Sequence, residues 1–169
     1  MRKIFIGFSK PKNKLFPIFS WAIRAFEQTK FSHVYVRHQT KYGIEIVYQA
    51  SGTQVNFENG DVFLNKAEVV REFEFEISDE AFDRYMFFAL KNVGKPYSVL
   101  QVFGIALFSL FDLKKNPFSN GSKYYVCSEL VSEILYEIGR FRYDRNVFDK
   151  LTPKSLFEFC LKHSGEGAK

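Results

Sequence analysis

The sequence is short of several things that would settle its class at once. Cysteine is nearly absent, with two residues, Cys127 and Cys160, in 169. Two thiols close one bridge at most, which excludes a disulfide scaffold and makes free thiols in a reducing compartment the expectation. Long apolar runs are missing too. The longest, Val99 to Phe111, is interrupted by Gln101 and Ser109 and falls short of the roughly 20 residues that a transmembrane helix needs. It fits a buried helix, with a lipid-facing surface as the alternative. An export signal is not expected either: Ile4 to Phe8 is too short for a signal core, and Lys10 and Lys12 follow it. Repeats, low-complexity tracts and linkers are absent as well. Finally, there is no dense basic stripe. The net charge is +5, from 24 Lys and Arg against 19 Asp and Glu, which favours anionic partners such as cell wall or lipid. The cations are scattered, so nucleic acid is not expected.

What is present is a chain of ordinary globular composition, 46% hydrophobic and 25% charged, with 21 phenylalanines. Its length suits a single domain over 1–169, with a core of about 3–160 and a flexible tail at 164–169. Lys3 to Ser9 alternates like a strand, and Leu15, Phe16, Phe19, Ile23 and Phe26 recur at helical spacing. Ser32–His38 and Ile44–Ala50 are β-rich runs around Gly43, the pattern of a hairpin. Gly52 to Asp61 reads as a loop. Val69 to Ile77 alternates Phe and Ile with Glu, a strand with one wet face. Ser78 then caps a helix whose apolar face is Phe82, Tyr85, Met86, Ala89, Leu90 and Val93, stopped by Gly94. Lys114 to Ser122 is rich in turn formers, Cys127 to Ile138 is a helix closed by Gly139, and Thr152-Pro153 opens the last helix. The fold class is therefore α+β, built on a hairpin-based antiparallel sheet.

Cys127 stands where its helix begins. Tyr124, Tyr125 and Val126 before it look extended. A thiol there meets unpaired N–H groups and the positive end of the helix dipole, both of which favour the reactive thiolate. The same N–H groups suit an oxyanion. The apolar positions Leu130, Val131, Ile134, Leu135 and Ile138 put Cys127 on the inward face, which would also fit a small core residue. His33 opens the strand Ser32–His38 on the face of Tyr35 and Arg37. A hairpin register centred on Lys41 pairs Arg37 with Glu45, Tyr35 with Val47 and His33 with Gln49. Gln49 would then orient the imidazole, as the base of a cysteine nucleophile requires. His38, at the hairpin tip, and His163 read as solvated, and Cys160 reads as core. Cys160 with His163 lacks the further ligands of a metal site, so no metal or cofactor is expected.

These motifs resemble the cysteine hydrolases of the NlpC superfamily. Tyr125-Val126-Cys127-Ser128-Glu129-Leu130-Val131 is similar to their nucleophile motif and Phe31-Ser32-His33-Val34 to their histidine motif. Val47-Tyr48-Gln49-Ala50 matches the strand of the third polar residue, often Glu, and Gly94-Lys95-Pro96-Tyr97 a segment whose Tyr lines the active site. Thr152-Pro153-x-x-Leu156 resembles a C-terminal segment of the same branch. His before Cys is the order of the circularly permuted branch, which includes YiiX-like and lecithin:retinol acyltransferase-like proteins. The resemblance implies a permuted papain-like fold, with a small antiparallel sheet packed against the Cys-bearing helix. It implies a catalytic set of Cys127, His33 and Gln49, with Tyr97, Tyr35 and Ser128 as candidates for binding substrate. The implied reaction is hydrolysis or transfer of an acyl group from a peptide, cell-wall or lipid substrate, in a cytoplasmic or virion-associated protein. A non-catalytic binding or structural module on the same fold is the alternative, kept open by Gln49 in place of an acid.

Overall fold

A computed structural model describes residues 1–12, 20, 23–25, 27–97, 125–140 and 151–164. The expected segment 99–111 and the turn-rich 114–122 lie outside the described residues, as does most of the helix expected around Leu15 to Phe26. The chain folds as α+β around one five-stranded sheet. Strands β1 (Arg2–Pro11), β2 (His33–Gln39), β3 (Glu45–Ser51), β4 (Gln54–Asn59) and β5 (Ala67–Ile77) lie in the order β4-β3-β2-β1-β5. Every neighbouring pair is antiparallel. Helix α1 (Gly60–Lys66) links β4 to β5, and α2 (Asp79–Asn92), α3 (Cys127–Glu137) and α4 (Pro153–His163) follow.

The alternation of apolar side chains explains the two-sided sheet. Ile4, Ile6, Phe8, Val34, Val36, Tyr48, Phe73 and Phe75 point to one face and form the main core with Leu130, Val131, Ile134 and Leu135 of α3. Phe8 gathers Phe31, Phe73 and Phe157 around it, with ring centroids 5.0, 5.8 and 5.1 Å away. Through Phe157 this cluster seats α4, and through Phe31 it anchors the residues that lead into β2. A smaller cluster of Tyr35, Val47, Phe63 and Ala67 lies on the other face, beneath α1. Gly7 is required there: a Cβ at this position would stand 2.1 Å from the Tyr35 ring, which lies across it.

Helix boundaries follow the local chemistry. Ser78 accepts from the Ala81 N–H and caps α2, and Thr152 accepts from the Ser155 N–H and caps α4, with Pro153 in the first turn. Gly94 and Gly139 take the positive φ values, 84° and 74°, that end α2 and α3.

Four expectations need correction. Residues 52–61 are not a loop: Gln54–Asn59 is β4, and α1 starts at Gly60. The strand is short and at the sheet edge, and Val55 and Phe57 supply its apolar side against Gln54, Asn56 and Glu58. The β2–β3 register is also different. Arg37 faces Val47 and His38 faces Ile46, a shift of two residues that centres the turn on Tyr42. Gly43, at φ 80°, makes that turn possible, and the Gly43 N–H donates to the Thr40 carbonyl over 3.0 Å. His38 is buried rather than solvated, because it shares the core-facing side of Val34 and Val36. On α2, Leu90 and Val93 are 64% and 45% exposed, so its inward face is narrower than the apolar pattern suggests.

Candidate functional site

Cys127 begins α3, and the backbone before it is tied to the sheet by a run of hydrogen bonds. The Tyr97 N–H donates to the Thr53 carbonyl over 2.9 Å, and the Tyr125 N–H donates to the Pro96 carbonyl over 3.1 Å. Tyr97 and Tyr125 form a parallel bridge. The turn between β3 and β4 thus holds residues 95–97, and these hold the start of α3. Val126 is extended at the N-cap and Cys127 is the first helical residue. The Glu129 carboxylate folds back to accept from the Val126 N–H over 3.3 Å. Helix α3 packs on β2 and β3, and its first residue meets the Val34 N–H, near the start of β2.

The rungs between β2 and β3 start only at Val36 and Tyr48. The Val34 N–H stands close enough to the Cys127 sulfur to favour the thiolate, and the Ser128 and Cys127 N–H groups act in the same sense. Burial outweighs them. Cys127 is 5% exposed, and desolvation pushes its thiol up to about 11, with the charge of Glu27 adding to the rise. Tyr97 is close enough that the charge on Cys127 raises its phenol, after the larger effect of its own burial.

His33, the neighbour of Val34, opens β2. Its Nε2 lies 2.8 Å from Gln49 Oε1. Desolvation pulls the ring below its ordinary 6.5, and the bond to Gln49 pulls the other way. Burial thus moves the two groups in opposite directions, the thiol up and the imidazole down, and in both the charged form is disfavoured.

Of the residues singled out in the sequence, His33 is bonded to Gln49, and Tyr97 and the backbone N–H of Val34, the residue after His33, bear on Cys127; among the described residues, no hydrogen bond joins the Cys127 sulfur to the His33 ring. Tyr35 is 1% exposed; its hydroxyl donates to Glu72 over 2.9 Å and its ring stacks on His33 at 6.4 Å. Ser128 is 1% exposed, and its carbonyl accepts from the Ser132 hydroxyl. His163 is at the surface, with Nδ1 2.8 Å from the Phe159 carbonyl. Cys160 is fully buried.

Two carboxylates escaped the sequence reading. Glu58 on β4 accepts from Gln49 Nε2 over 3.0 Å. Glu27, 7% exposed, accepts from the Lys154 N–H at the start of α4 and bears on the Cys127 thiol. The alternation of Val55 and Phe57 with Asn56 and Glu58 could have revealed the first. No sequence signal marks the second, which depends on how α4 returns.

A solved structure with the same architecture is that of the metalloprotein YiiX from Escherichia coli O157:H7. It matches with a TM-score of 0.63 over 94% of this chain and 92% of that one, at 16% sequence identity. At that identity the likeness is one of fold. No family model and no curated protein matches the sequence. Among the described residues, no group of three or more His, Cys, Asp or Glu side chains converges as a metal site would require, and no helix is long and apolar enough to cross a membrane.

Proposed function

We propose that the protein is a cysteine-dependent hydrolase or acyl transferase on a circularly permuted papain-like fold. Cys127 is the nucleophile, His33 its base and Gln49 the group that orients the base. The observation that carries this reading is that the thiol lies at the Val34 N–H while the imidazole of the preceding residue, His33, is held by Gln49. YiiX supports it through the fold alone. The metal in that protein's name has no counterpart among the described donor residues.

The reaction starts with substrate carbonyl carbon at the sulfur. As the S–C bond forms, the thiol proton passes to His33 and the oxyanion is met by the Cys127 N–H at the helix start. Imidazolium then gives the proton to the departing amine or alcohol, leaving a thioester. Water or another acceptor, deprotonated by His33, releases the acyl group and restores the thiol. Tyr97 lines the approach to the sulfur.

A second reading, a catalytically silent module, is favoured by one observation: the thiol is deeply buried and pushed up to about 11. Thiol-directed acyl probes with peptide and fatty-acyl groups separate the two. An adduct on Cys127, lost in Cys127→Ala, supports the enzyme. Labelling unchanged in Cys127→Ala, or no labelling of the native chain, rejects it.

A further inference from the structure

We propose that Glu58 is a positioning residue that fixes the tautomer of His33 through Gln49. This inference rests on the reading of His33 as the base. Gln49 bridges two partners of different character. An ionised carboxylate only accepts hydrogen bonds, so Glu58 must receive the amide NH₂ of Gln49, as the 3.0 Å contact with Nε2 records. The amide oxygen is thereby turned toward His33. A carbonyl oxygen only accepts, so His33 must donate from Nε2 across the 2.8 Å contact. That places the ring proton on Nε2 and leaves Nδ1 as the ring nitrogen with a lone pair to take the thiol proton.

The carboxylate is itself held. Lys66, at the end of α1, donates to its other oxygen over 2.5 Å, and the Glu58 side chain is only 19% exposed. Gln49 is 4% exposed, so its amide has little access to water that could replace a lost partner. The acid missing from position 49 is present one strand further out. It acts through the amide instead of touching the imidazole, setting orientation without placing a negative charge against the ring.

The test reads the tautomer directly. The full chain has three histidines, so the ¹⁵N imidazole resonances of labelled protein are few, and those of His33 are assigned by their loss in His33→Asn. Native protein is expected to show a protonated Nε2 and an unprotonated Nδ1. In Glu58→Gln the new amide can donate or accept, Gln49 is free to turn over, and His33 becomes a mixture of tautomers. The rate of Cys127 acylation then falls about tenfold. A protonated Nδ1 in the native chain overturns the proposal even if the variant does not fold. An unchanged tautomer in folded Glu58→Gln overturns it as well. A native chain whose Cys127 resists acylation refutes the catalytic reading, whereas the tautomer result bears on Glu58 alone.

Discussion

Strand β2 carries a histidine near each end, and the two are held in contrasting ways. His38 is 3% exposed, with Phe82 and Tyr85 edge-on at 5.4 and 5.5 Å and Nδ1 3.0 Å from the Tyr85 hydroxyl. Burial drives it down to about 4, with Glu45 raising it and Arg2 lowering it. His33 is also lowered by desolvation. Burial alone thus does not distinguish the proposed base from a histidine held in the core. The difference lies in the partners. His38 ends in a phenol inside an aromatic cage, whereas His33 has a bridging amide, a carboxylate behind it and a thiol beside the next residue.

The comparison is broken most sharply by removing each ring. His33→Ala should lower Cys127 acylation by about 10²–10⁴-fold, measured by stopped-assay mass spectrometry, while leaving the urea midpoint near that of the native chain. His38→Ala should do the reverse. It empties an aromatic cage and strands the Tyr85 hydroxyl, costing about 2–3 kcal/mol in urea unfolding, with the acylation rate of the folded fraction nearly intact. Equal effects of the two substitutions on acylation would erase the distinction.

The pH dependence of stability gives a smaller and more specific difference. His38 has a folded value near 4 against about 6.5 unfolded. Between those values the unfolded chain binds more protons, so stability rises with pH. The His38 contribution is complete above 6.5 and is lost as the pH falls through that window toward 4. His38→Gln should flatten the urea midpoint between pH 4 and 6.5; a slope equal to that of the native chain would show that His38 is not the titrating group. The smallest effect is expected at Lys66, whose side chain is 65% exposed. Lys66→Ala should change stability by less than about 0.5 kcal/mol and leave acylation within a few-fold of native.

The pair His33 and Gln49 was legible from the sequence even though the expected register was wrong. A shift of two residues preserves the face of every side chain. Gln49 therefore still reaches His33, now diagonally across the ladder, and Arg37 still reaches Glu45 at 2.6 Å. His38 was misjudged from its place near the turn, although its parity with Val34 and Val36 pointed inward. Glu58 was hidden because a short, polar edge strand carries weak propensity and looks like a loop. The cap residues Ser78 and Thr152 and the stops at Gly94 and Gly139 were readable because each satisfies a local backbone need. Cys127 was half legible: the apolar spacing of α3 put it on the inward face, but how far burial pushes its thiol up against the N–H groups of the helix start depends on α3 packing onto β2 and β3.

The central claim is that His33 activates Cys127 by taking its proton. The direct measurement is the pH profile of Cys127 acylation by an activated acyl ester, mapped to Cys127 by peptide mass, in native protein and His33→Ala. The account predicts that the native rate rises with a midpoint below 6.5 and then levels, following neutral imidazole. The His33→Ala rate should stay low at neutral pH and climb only toward the thiol value near 11. Superimposable profiles in the two proteins would contradict it.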